Sequence, residues 1–119
     1  MAKRNTENIY EELKNEILNK KFHSIYLLMG EEPFYSEQLC ELIIENALQP
    51  FERDFNQNIF YGMDATAEDV VAACEQYPMM AERVLVVVKE AQMMKKIENM
   101  APYLDHISET TVLVLLVSG

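Results

Sequence analysis

Residues 84–88 read Val-Leu-Val-Val-Val, an unbroken run of five apolar residues, four of them β-branched, closed on either side by Arg83 and Lys89. No apolar-polar alternation runs through it, so neither face can be left to water, and it is too short for a buried helix. It predicts a strand in the middle of a parallel sheet that is covered on both faces. The chain must then supply neighbouring strands, and helices enough for a layer on each side.

The rest of the sequence meets that demand. Residues 24–29 (Ser-Ile-Tyr-Leu-Leu-Met) and 110–117 (Thr-Thr-Val-Leu-Val-Leu-Leu-Val) read as almost wholly apolar strands. Residues 55–61 (Phe-Asn-Gln-Asn-Ile-Phe-Tyr) alternate in their first half, as an edge or half-covered strand does. Between them helices are expected. Asn5 or Thr6 caps one whose apolar positions Ile9, Tyr10, Leu13, Ile17 and Leu18 recur at helical spacing, with acidic residues early and Lys20 and Lys21 late. Pro33 opens a second, with Leu39, Leu42, Ile43 and Ala47 inward, ending near Gln49 and Pro50. Thr66, followed three residues on by Asp69, caps a third over residues 67–76, with Val70, Val71 and Cys74 inward. A short helix starts at Pro102, and residues 91–100 lack a clear period.

The fold expected is α/β: a three-layer parallel sheet of about four strands with helices on both faces, one domain over residues 1–119. Only Ser118 and Gly119 follow the last strand, so the sequence reads as a piece of a longer protein.

Composition removes several functions. Asp and Glu number 20 against 10 Lys and Arg, a formal charge of -10, which repels phosphate backbones and anionic membranes. Any nucleic acid this protein serves is touched by something else. No apolar run approaches the ~20 residues of a membrane-spanning helix. Two cysteines without dense spacing, behind a polar N-terminus, fit a reduced, cytoplasmic setting.

In parallel α/β folds ligands sit at the carboxyl ends of the strands, so the loop after the first strand is the place to seek nucleotide chemistry. Residues 30–37 read Gly-Glu-Glu-Pro-Phe-Tyr-Ser-Glu. On the phosphate-loop template G-x-x-x-x-G-K-[ST] only Gly30 survives: Tyr35 replaces the second glycine, Ser36 the lysine and Glu37 the hydroxyl. Glu31, Glu32 and Glu37 add negative charge where phosphates would lie. A hydrolytic site also wants an acidic pair after the central strand to hold metal, and the residues there are Lys89 and Glu90. No nucleotide, metal or other cofactor is expected. The alternative, a generic nucleotide-binding or receiver-like α/β domain, finds acids in Glu31 and Glu32 but no matching acid at Lys89. Cys40 and Cys74 fall on inner helix faces, and with His23 and His106 they make no nucleophilic set, so no catalytic residue is assigned.

One feature is left without a role. Pro78 breaks the helical pattern before the central strand and leaves Tyr77, Met79 and Met80, three large apolar side chains, on a turn. Two readings are open. The side chains fold back as core fillers, a common use of Met; or they stand out and enter a pocket on a partner.

The stretch 75–91, E-Q-Y-P-M-M-A-E-R-V-L-V-V-V-K-E-A, resembles the N-terminal AAA+-like domain of the delta subunit of bacterial DNA polymerase III, the clamp-loader member that opens the sliding clamp. The likeness covers most of the chain. Residues 25–34 (I-Y-L-L-M-G-E-E-P-F) resemble that family's first strand and inactive loop, and residues 54–62 its second strand. The family's clamp-binding segment, an acid, any residue, an aliphatic, Pro or Ser and two bulky apolars, falls on Glu75, Gln76, Tyr77, Pro78, Met79 and Met80, and Arg83 stands at its usual Arg. The resemblance implies a non-catalytic subunit of the polymerase holoenzyme that has lost ATP chemistry. It implies that Tyr77, Pro78, Met79 and Met80 enter the hydrophobic pocket of the clamp, the beta subunit, with Glu75 and Arg83 in support. Other loader subunits would be met through a lid and a collar domain that these 119 residues do not contain. Tyr77 stands where an aliphatic is typical and Met79-Met80 where Leu-Phe or Phe-Phe is usual, which implies a changed pose and affinity.

Overall fold

A computed structural model describes residues 6–29 and 33–117. Its centre is a sheet of four parallel strands, β1 (Ile25–Leu28), β2 (Gln57–Tyr61), β3 (Val84–Lys89) and β4 (Thr111–Leu116), in the order β1-β4-β3-β2. The five-residue apolar run lies where its composition demands, between two neighbours: Val86 is flanked by Asn58 of β2 and Leu113 of β4. β2 is an edge strand, as its alternation predicts.

Successive side chains of a strand point to opposite faces, so β3 and β4 feed two separate cores. Leu85, Val87, Val112 and Val114 face the first, closed by α1 (Thr6–Leu18) and α2 (Pro33–Ala47) through Ile17, Leu39, Cys40 and Ile43. Val84, Val86, Val88, Leu113 and Leu115 face the second. After the single-turn α3 (Arg53–Asn56), that layer is built by α4 (Ala67–Cys74), two 3-10 turns at 91–93 and 97–100, and α5 (Ala101–Leu104). Val70, Cys74, Met94 and Met100 close it. The cap on α4 is the expected one, with the Asp69 N–H donating to Thr66 Oγ1 at 3.1 Å.

Element ends differ from the expected ones for identifiable reasons. The edge strand begins at Gln57 rather than at residue 55. Phe55 and Asn56 complete α3, whose turn is closed by the Asn56 amide donating to the Glu52 carbonyl at 2.8 Å. α4 stops at Cys74, two residues short of 76, where the Thr111 hydroxyl takes the Cys74 carbonyl at 2.7 Å. α2 stops at Ala47, where Arg83 and Lys20 take the carbonyls of Ala47 and Asn46 at 2.9 and 2.8 Å. On α1 the inward residues are Tyr10, Leu13 and Ile17, while Ile9 and Leu18 are exposed and Lys20 and Lys21 lie past its end. The capping side chains expected of Asn5 and Thr6 lie outside what the structure describes.

Candidate partner-docking site

With all strands parallel, the connection from a helix into the next strand crosses the amino edge of the sheet. Residues 75–83 are such a connection, from α4 into β3. Tyr77 is 89% exposed, Met79 58% and Met80 97%, while Pro78 is half-buried. The side chains do not fold back onto the core. Met80 takes the left-handed backbone conformation, φ 55, which for a residue with a side chain costs about 1–3 kcal/mol and persists only where the surroundings impose it.

Those surroundings are three polar anchors, each placed by a segment that feeds a different strand. Before the turn, the buried Thr111 hydroxyl at the start of β4 fixes the last carbonyl of α4. Within it, Asn56, fully buried just ahead of β2, grips one residue from both sides. Its Oδ1 accepts the Met79 N–H at 2.7 Å and its Nδ2 donates to the Met79 carbonyl at 2.9 Å. After the turn, the Arg83 guanidinium donates to the Ala47 carbonyl at 2.9 Å and lies 4.7 Å from the ring centroid of Phe22, just before β1. Ala81 packs against the first core beside it. Arg83 therefore acts on the turn from below, as a strut between β3 and the end of α2. Glu75 sits exposed at the close of α4.

Asn56 was not legible as a site residue. In sequence it looks like one more polar position of an alternating strand. Phe51 and Phe55, on the segment that carries it, are 79% and 69% exposed, which no local pattern in the sequence signals.

The carboxyl edge of the sheet is built differently. Gly30, Glu31 and Glu32 lie outside the described residues. Tyr35, Ser36 and Glu37 belong to the first turns of α2 rather than to a loop: the Tyr35 ring packs at 4.9 Å from Tyr10, and Ser36 is buried. Glu37 borders an open cleft of about 410 Å³ together with Glu41, Tyr61, Lys89 and Glu90. Lys89 Nζ lies 3.9 Å from the Glu41 carboxylate, so its charge is already answered. Among the described residues no group of His, Cys, Asp or Glu has the geometry to hold a metal ion. Burial pushes the free thiols of Cys40 and Cys74 up to about 11 and about 12, which keeps both protonated and poor as nucleophiles at neutral pH. His23 is turned to Glu16 at 3.0 Å, and His106 is exposed.

Comparison with known proteins decides the lineage. The family described as "DNA polymerase III, delta subunit" matches residues 26–119. The chain belongs to that family. A curated relative, DNA polymerase III subunit delta of Bacillus subtilis (strain 168), is 28% identical over 104 residues, 79% of this chain and 30% of the relative. The solved Bacillus subtilis DNA clamp loader delta protein matches with a TM-score of 0.81 at 24% identity, over 91% of this chain and 35% of that one. At that identity the match speaks for the fold, and it is the parallel α/β fold expected from the sequence. The chain thus spans about a third of the length of the relatives it matches, 30% and 35%. Among the described residues no helix is long and apolar enough to cross a membrane.

Proposed function

We propose that this chain is the N-terminal, AAA+-like domain of a clamp-loader delta subunit. In this reading it docks on the sliding clamp through Tyr77, Pro78, Met79 and Met80 and hydrolyses no nucleotide. The observation that carries the proposal is the turn itself: three large apolar side chains turned to water on a backbone held by a buried amide. Left bare, an apolar protrusion costs solvation and invites aggregation; seated in a pocket, such side chains become the centre of an interface. The delta-subunit family of the chain supplies a partner that fits, a ring with a hydrophobic pocket.

Work on the ring needs no chemistry in this domain. A partner that binds the open ring more tightly than the closed one shifts the population toward open by its differential affinity. Glu75 and Arg83 support the turn without entering the pocket. Contacts with other loader subunits belong to parts of the protein beyond this chain, and the charge of -10 leaves DNA to them as well.

The test is binding of this chain to the sliding clamp from the same source. Met79→Ala with Met80→Ala should lower affinity at least about 100-fold, since hot-spot side chains each contribute about 2 kcal/mol or more. Because both side chains are exposed, thermal stability should stay within about 0.5 kcal/mol. Undiminished binding by the folded double variant would overturn the assignment.

A further inference from the structure

We propose that Asn56 is a positioning residue for docking, holding the apolar turn in the shape that enters the partner; this rests on the function proposed above. Side-chain packing does little to place Met79 and Met80, which are 58% and 97% exposed, so their position depends on the backbone. That backbone is held at Met79 by one side chain. The Asn56 amide offers a donor and an acceptor side by side, and it meets the Met79 N–H at 2.7 Å and the Met79 carbonyl at 2.9 Å. Two bonds to one residue fix its orientation as well as its place. The second Nδ2 proton goes to the Glu52 carbonyl at 2.8 Å, which fastens the amide to α3.

The chemistry is specific to an amide. Aspartate in its place keeps the acceptor for the Met79 N–H but has no proton for the carbonyls of Met79 and Glu52, and sets a carboxylate oxygen against both. Alanine gives up all three bonds. The next residue, Met80, sits at φ 55, so a released turn has ordinary conformations to relax into. A site competent only a fraction of the time binds more weakly by that fraction. Asn56 thereby contributes affinity without touching the partner.

The experiment compares Asn56→Ala, Asn56→Asp and the Met79→Ala, Met80→Ala double variant with the unaltered chain. Affinity for the sliding clamp is measured well below each variant's unfolding midpoint, so that only folded protein is read. The Asn56 variants should bind about tenfold more weakly or worse, the equivalent of one to two net hydrogen bonds. Amide exchange on the unaltered chain gives a second reading, in which the Met79 N–H should exchange much more slowly than that of Tyr77. Folded Asn56 variants that bind as tightly as the unaltered chain overturn the proposal. So does a Met79 amide that exchanges as fast as Tyr77, and that measurement decides the matter if the variants do not fold. Undiminished binding by the Met79→Ala, Met80→Ala variant is a different failure: it removes the docking role from the turn, and with it this inference, whatever the exchange rates show.

Discussion

On the function proposed above, the two edges of the sheet in this protein exchange their usual employment. At the carboxyl edge, where parallel α/β folds place ligands, three carboxylates, Glu37, Glu41 and Glu90, share a cleft with one lysine that is already turned to Glu41. Tyr35 and Ser36 are packed into α2. At the amino edge, where connections ordinarily do no more than reverse the chain, an apolar turn is held out by side chains from the segments leading into β1, β2 and β4. A nucleotide site needs cations and open backbone amides around its ligand. A docking site needs only apolar surface on a rigid base, and the same sheet provides that base at either end. The site can move while the fold stays, because function is attached to a scaffold rather than dictated by it.

The largest expected effects separate the edges cleanly. Loss of Met79 and Met80 should abolish binding and spare stability; a change at Gly62 should do the reverse. A Cβ at Gly62 would stand 2.1 Å from the Glu90 carbonyl oxygen and 3.1 Å from the Met94 nitrogen, and both are backbone atoms that cannot rotate away. In Gly62→Ala the carboxyl ends of β2 and β3 must part, at a cost of about 1–3 kcal/mol. Thermal unfolding should show the loss, while the folded variant binds the clamp within about twofold of the unaltered chain, since distant sites act independently. A folded Gly62→Ala protein with crippled binding would mean that the edges are mechanically joined.

A smaller effect uses the two cysteines, one near each edge: Cys40 borders the carboxyl-edge cleft, and the Cys74 carbonyl anchors the turn. Burial raises both thiols above the ordinary 9.0, to about 11 and about 12. Below pH 9 folded and unfolded chains both hold these protons, so stability is independent of them. Above it the unfolded thiols ionise first, and stability falls as pH climbs through 9 toward the folded values. Tyr26 and Tyr103, also raised by burial, add to the fall above pH 10. Denaturant unfolding from pH 8 to 11 should show the decline, and it should be less steep in both Cys40→Ala and Cys74→Ala, each of which removes one buried thiol. A flat profile would mean that the thiols are reached by water in the folded state.

What the sequence disclosed divides along the same line. The run at residues 84–88, the strand at 110–117 and the Thr66–Asp69 cap were legible because burial on two faces and helix capping leave local patterns. The departures of residues 30–37 from the phosphate-loop template were legible because that template names its residues one by one. The turn was legible as apolar but not as exposed: Tyr77, Met79 and Met80 would read alike in a core, and only the tertiary structure puts them in water. Asn56 was hidden further, since its bonds to Met79 span 23 residues and it stands beside two more polar residues, Gln57 and Asn58, at the start of an edge strand. Long-range polar anchors leave no periodic trace.

The smallest expected effect is none at all, and it bears on the empty half of the contrast. ATP with magnesium, titrated to millimolar concentration, should leave the unfolding midpoint of this chain unchanged. A ligand at 100 times its dissociation constant stabilises a protein by about 2.7 kcal/mol, an effect no thermal scan would miss. The cleft offers a triphosphate one ammonium, Lys89, against the carboxylates of Glu37, Glu41 and Glu90. Freeing that lysine should not restore binding. Glu41→Gln removes the partner 3.9 Å from Lys89, a partly exposed pair worth at most about 1 kcal/mol, and still leaves two carboxylates facing the phosphates. A midpoint that rises with ATP in the unaltered chain would return the carboxyl edge to use as a ligand site, and the exchange of roles between the edges would be only half made.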